Sequence, residues 1–148
     1  MRISAKGEYA IQAMLDLALH RDRGLTPIQA IAARQAIPQR YLEQVLLALK
    51  RAGLLTSRRG SAGGYHLTRP PEDITVGDVL RAVEGPVNGL GPVRRGRGRI
   101  ARDPVADLSE LWREIDEAVS GVVDRITFED LRKRAEERRS VARAMYHI

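Results

Sequence analysis

Residues 57–67 read SRRGSAGGYHL. Two short runs, 54–58 and 65–68, flank glycines at 60, 63 and 64. Glycine takes positive backbone dihedrals at no steric cost, so the segment predicts a tight antiparallel hairpin. Arg58 and Arg59 stand at the base of its turn. A lone two-stranded hairpin is marginal in water and must rest on something else. The rest of the chain offers no strand-rich core and no long internal repeat, only helical periodicity. The expected class is mainly α, with a small two-stranded wing.

Three helices are predicted before the hairpin. The first is expected to start with Ser4 as cap and carries Ile11, Met14, Leu15 and Ala18 on one face. In the second, Thr26 is expected as N-cap, Pro27 as first helical residue and Gln29 as partner of a capping box. The third starts at Pro38 and has the apolar stripe Leu42, Val45, Leu46 and Leu49. Lys50 and Arg51 suit its C-terminal end, and Gly53 suits the position just past it. A fourth helix follows the hairpin, with Thr75 and Asp78 as capping box and Val76, Val79, Leu80 and Val83 on one side.

The C-terminal part has a different pattern. Val105, Leu108, Trp112, Ile115, Val119, Val122 and Ile126 are spaced alternately three and four apart. That is a heptad seam, which buries one helix edge against another helix. It predicts one long helix from Asp103-Pro104 whose seam pairs with a second copy. Leu111 and Val123 widen the stripe. Thr127 and Asp130 box a last, mostly charged helix with a thin apolar edge of Leu131, Ala135 and Met145.

The 148 residues carry 25 Lys and Arg against 19 Asp and Glu, a formal charge of +6. Such an excess favours polyanion partners. There is no cysteine, which excludes disulfides, thiolate nucleophiles and cysteine-held zinc or iron–sulfur clusters. No apolar run approaches membrane-spanning length and the first residues show no secretory pattern, so a soluble cytoplasmic protein without a membrane partner is expected. His20, His66 and His147 are scattered without metal-ligand spacing, and no metal or other cofactor is expected. Ser4, Ser57, Ser61 and Thr68 have no base partner, so no catalytic set exists and an enzyme is not expected.

Three helices followed by a basic, glycine-tipped hairpin form the order of a winged helix-turn-helix. The second and third helices meet at a short turn near Ala36-Ile37. Such a pair crosses the DNA backbone with one helix and places the start of the other in the major groove. Gln39 and Arg40 lead that second helix. Gln can pair with adenine and Arg with guanine through two hydrogen bonds each. Glu43, one turn on, can accept from cytosine or orient Arg40. Arg58 or Arg59 can reach a phosphate or the minor groove.

The segments MRISAKGEYAIQAMLDLA, IPQRYLEQVLLALKRAGLL, RRGSAGGYHL and ITVGDVLRAVEG resemble, in order and spacing, the Rrf-two (Rrf2) family of winged-helix transcriptional regulators. The pair Leu111-Trp112 is similar to part of the family's dimerisation helix. The resemblance implies a homodimer on pseudo-palindromic double-stranded DNA, with the recognition helix at 38–50 and the wing at 58–67. It places Arg2, Ser4, Lys6 and Tyr9 against the DNA backbone. Thr26, Lys50, Arg58, Arg59 and Ser61 complete the expected backbone and wing contacts. Cluster-binding members hold three cysteines between the fourth helix and the long helix, and this sequence has GPVRRGRGRIARD there instead. The resemblance therefore implies DNA binding and dimerisation without an iron–sulfur cluster.

The expected organisation is a DNA-binding domain at 1–85, an Arg/Gly-rich loop at 86–102, and a dimerisation helix with a C-terminal helix at 103–148. The loop keeps three readings: a solvated linker, a phosphate-contacting arm, and a site for an anionic effector through Arg94, Arg95 and Arg97. The expected function is a dimeric, sequence-specific repressor. The alternative is a regulator or interaction module whose DNA binding is controlled by a partner protein or by an anionic small molecule at the loop.

Overall fold

The computed structural model describes residues 3–85 and 104–147. In chain order come α1 (Ala5–Leu19), α2 (Ile28–Gln35), α3 (Gln39–Arg51), β1 (Leu55–Arg58), β2 (Gly64–Leu67), α4 (Val76–Glu84), α5 (Ser109–Val123) and α6 (Phe128–Tyr146). The two strands pair antiparallel, Leu55 opposite Leu67 and Arg58 opposite Gly64. The mainly helical class with a two-stranded wing is what the sequence predicts. Local chemistry sets the helix starts. Ser4 Oγ accepts the Gly7 amide at α1. Thr75 with Asp78, and Thr127 with Asp130, close complete capping boxes on α4 and α6.

Helix α1 is the hub of the core. Ala10, Ala13, Met14, Leu17 and Ala18 are buried on it, against Ile31 of α2, Leu42, Val45, Leu46 and Leu49 of α3, and Val79 of α4. Ile11 and Leu15, expected on the inward stripe, are only half-buried. Small alanines let several helices approach α1 at once, and a search for large apolar residues passes over them.

A charged group lies inside this core. Asp16 is 0% exposed. Its carboxylate accepts from Arg34 Nε at 2.9 Å, Arg34 Nη2 at 2.8 Å and Gln35 Nε2 at 3.1 Å. Buried ionised groups persist only when paired and hydrogen-bonded in this way. The Asp16 hydrogen bonds raise the Arg34 guanidinium pKa further above its ordinary value. The network ties the last turn of α1 to the end of α2.

Three expectations give way. Thr26 does not cap α2: Pro27 is the cap residue and makes no side-chain bond. Thr26 is instead 5% exposed and bridges Tyr65 of β2, because its backbone is used as a short third strand. The capping box with Gln29 is thus absent, and Thr26 is not on the surface for a DNA contact. The long seam is also interrupted. Pro104–Ala106 form a 3₁₀ turn, Asp107 Oδ1 takes the Ser109 amide at 2.9 Å, and α5 starts only at Ser109. Val105 is therefore outside the helix and 94% exposed. Ile126 also lies outside, its carbonyl taking the Val76 amide at 2.9 Å.

The last helix is anchored more deeply than its charge suggests. Phe128, its first residue, is 0% exposed and belongs to the main core. The Phe128 amide bonds the Ile74 carbonyl at 3.0 Å, and Thr127 bridges Thr75. Leu131 packs beside it, while Val141, Met145 and Tyr146 are exposed at the far end. Replacing Phe128 by Ala should lower the unfolding free energy by about 3–5 kcal/mol, read as a lower urea midpoint. Met145→Ala should change it by no more than about 0.5 kcal/mol.

Candidate nucleic-acid interface

The turn between α2 and α3 is tight. Ala36 adopts the left-handed conformation at φ 53°, and Ile37 follows as a buried plug. A left-handed alanine is held only by surrounding packing, so the angle between the helices is built in. Pro38 then serves as cap residue of α3 without a side-chain cap bond. The positive end of the α3 axis is left open, and such an end attracts an anion such as a DNA phosphate.

Along α3 the two faces separate cleanly. Leu42, Val45, Leu46 and Leu49 are buried, and Gln39, Arg40, Glu43 and Lys50 are exposed. Among the described residues no ion pair or hydrogen bond joins Glu43 to Arg40. Both side chains are free to turn toward a partner surface. Tyr41, Gln44 and Leu47 share the exposed side, Tyr41 at 58% and Leu47 at 46%. Sequence reasoning missed these three. Exposed Tyr and Leu on a helix otherwise buried through its apolar stripe were the available signal.

The wing is fastened to this unit at two points. Lys50 Nζ donates to Ser57 Oγ at 2.6 Å, linking the end of α3 to β1. The Thr26 amide bonds the Tyr65 carbonyl at 3.0 Å and the Tyr65 amide bonds the Thr26 carbonyl at 2.8 Å, linking the start of α2 to β2. Glycine is required at Gly64, where φ is +155° and a Cβ would lie 2.5 Å from the Thr26 carbonyl. At the turn, Gly63 leaves room for the Arg58 carbonyl, 2.1 Å from where a Cβ would stand. Arg58, Arg59 and Ser61 are exposed at this end of the hairpin. A basic arm fastened beside an exposed helix is an arrangement that can meet a duplex.

The remaining expected contacts are unequal. Lys6 is exposed and Tyr9 is half-buried against the core. Ser4 is exposed but already engaged: its amide bonds Glu84 Oε1 at 2.9 Å and its hydroxyl bonds the same oxygen. Arg2, Arg94, Arg95 and Arg97 lie outside the described residues. Helix α5 carries no buried residue. Leu108, Leu111 and Val122 are 48%, 43% and 45% exposed, with Trp112, Ile115 and Val119 half-buried beside them. Among the described residues no helix is long and apolar enough to cross a membrane.

Known proteins share both sequence and shape. Residues 3–134 match the model of the family described as Rrf2, iron-dependent transcriptional regulator. The chain is 40% identical over 131 residues to the HTH-type transcriptional regulator CymR of Bacillus subtilis, covering 88% of this chain and 89% of that protein. It is 37% identical over 131 residues to the HTH-type transcriptional regulator IscR of Klebsiella pneumoniae, covering 88% and 79%. The solved structure of B. subtilis CymR, a global cysteine regulator, superposes with a TM-score of 0.73 at 37% identity, over 90% of this chain and 97% of that one. T. potens IscR gives a TM-score of 0.73 at 36% identity, over 93% and 90%. With a winged helix-turn-helix, an exposed recognition helix and these relatives, the chain belongs to the Rrf2 family of DNA-binding transcriptional regulators and is not an enzyme.

Proposed function

We propose that this chain is a homodimeric repressor that reads pseudo-palindromic operators without an iron–sulfur cluster. The observation that carries the reading is the exposed face of α3, where Gln39, Arg40 and Glu43 stand next to a helix start without a side-chain cap. Arg40 supplies the paired donors that fit guanine, and Gln39 the donor and acceptor that fit adenine. Arg58, Arg59 and Ser61 on the pinned wing hold the register on the backbone. Repression follows from occupancy: a protein seated across a promoter excludes the polymerase.

The dimer face is the stripe of Leu108, Trp112, Ile115, Val119 and Val122, widened by Leu111. An apolar helix edge left uncovered in one chain is the pattern that a symmetric contact between copies buries. The family's description names iron, and this chain's donors do not fit a cluster. There is no cysteine in the sequence. Among the described residues no group of three His, Asp or Glu could hold a metal ion. Thiolates are the usual holders of iron–sulfur clusters, so sensing in this chain takes another form.

Two experiments test the proposal. In mobility shifts with the protein's own promoter region, Arg40→Ala should cost about 1–3 kcal/mol and relax preference at one base pair. Arg59→Ala should weaken all sequences alike and reduce the salt slope by about 1. Unchanged affinity and preference in both variants would remove these residues from the interface. By light scattering, Val119→Glu should halve the mass with helix content intact. A wild-type protein of monomer mass would refute the dimer.

A further inference from the structure

Helix α5 meets the winged-helix body at one end. No residue is fully buried along its 15-residue length. At its root, Asp124 forms a two-pronged ion pair with Arg81 of α4, Nη1 to Oδ1 at 2.6 Å and Nη2 to Oδ2 at 2.8 Å. The pair sits directly over Gly77. A Cβ built on Gly77 would lie 2.0 Å from Asp124 Oδ1 and 2.8 Å from Arg81 Nη1. The absence of a side chain at Gly77 therefore makes the seat for this pair.

Stability does not account for the arrangement. Arg81 and Asp124 side chains are 39% and 45% exposed, and ion pairs open to water contribute little to folding. Hydrogen bonding from Arg81 holds the Asp124 carboxyl below its ordinary range, in keeping with the tight geometry. What a planar, two-pronged contact supplies is direction. Just beyond it the corner is locked: the Ile126 carbonyl takes the Val76 amide, and Phe128 is sunk in the core. The corner fixes where α5 starts from the body, and the ion pair fixes its tilt.

We infer that the Arg81–Asp124 pair over Gly77 is the latch that sets the spacing between the two half-sites this regulator accepts. The inference rests on the homodimer proposed above, with α5 as the pairing helix. A helix of that length is about 22 Å long, so a tilt of about 10° at its root moves the far end by about 4 Å. That is the rise of roughly one base pair, ~3.4 Å. One base pair also turns a half-site by about 35° around the duplex. A body free to tilt would accept neighbouring spacings, and a latched one selects among them. Arg81, Asp124 and Gly77 are thus positioning residues for specificity, with no contact to DNA required.

The test uses the full chain and a palindromic duplex recovered by the wild-type protein from randomised DNA. The duplex is rebuilt with its spacer changed by one and two base pairs in each direction, and also as a single half-site. Wild type should show a steep optimum in spacing. Gly77→Ala, which keeps a good helix former while pushing the pair apart, and Asp124→Asn should keep dimer mass and half-site affinity. Their optimum should flatten, with a loss of about tenfold at the best spacing as effective concentration falls. The charge-swapped double variant Arg81→Asp with Asp124→Arg should regain part of the optimum. A dimeric wild type whose steep profile the variants share overturns the latch alone. So does a loss of half-site affinity equal to the loss at the best spacing. A monomeric wild type with no spacing dependence overturns the dimer and the latch together.

Discussion

The carboxylate of Asp16 is the charge around which the reading head is arranged. It is fully buried, and its three side-chain hydrogen bonds all come from the last turn of α2. Removing a carboxylate of this kind leaves its partners uncompensated, which is why such groups specify geometry even where they add little net stability. Because Arg34 and Gln35 precede the left-handed turn at Ala36 directly, the direction of α3 is inherited from α1 through this contact. Helix α3 is aimed by a buried polar contact on its neighbour rather than by its own stripe alone.

The wing follows the same logic with weaker bonds. Its strands are four residues each, too short to stand alone. The backbone bridge at Thr26 and the Lys50–Ser57 bond attach them to the two helices of the DNA-reading pair. Arg58 and Arg59 are therefore tied through these bonds to the body that carries Arg40. Basic groups held as one body lose less freedom on meeting a duplex than the same groups on a loose loop.

Local rules carried much of this in the sequence. The stripe of α3, the capping boxes at Thr75 and Thr127, and the glycine-tipped hairpin each depend on neighbours within a few residues. What escaped depends on partners far along the chain. Thr26 satisfied every local rule for a helix cap, yet its backbone is claimed by Tyr65. Asp16 carries no local signal, because its partners lie 18 and 19 residues on. The heptad spacing of Val105 to Ile126 is real as a pattern, but the turn at Pro104–Ala106 and the bridge at Ile126 cut it at both ends. The exposure of Gln39, Arg40 and Glu43 was legible from their place at the start of a helix. Tyr41, Gln44 and Leu47 required knowing which side of that helix was covered.

Phe128 has a consequence for how the protein is made. The reading head is sealed by a residue that is synthesised after α5, even though the head itself is nearly all encoded before residue 86. On a ribosome the earlier helices and the wing emerge with the space beside Ile74 still open. At ordinary elongation rates the plug arrives roughly 2–9 s later. A nascent or prematurely terminated chain thus lacks a finished core, and the winged-helix body closes only after α5 has been made.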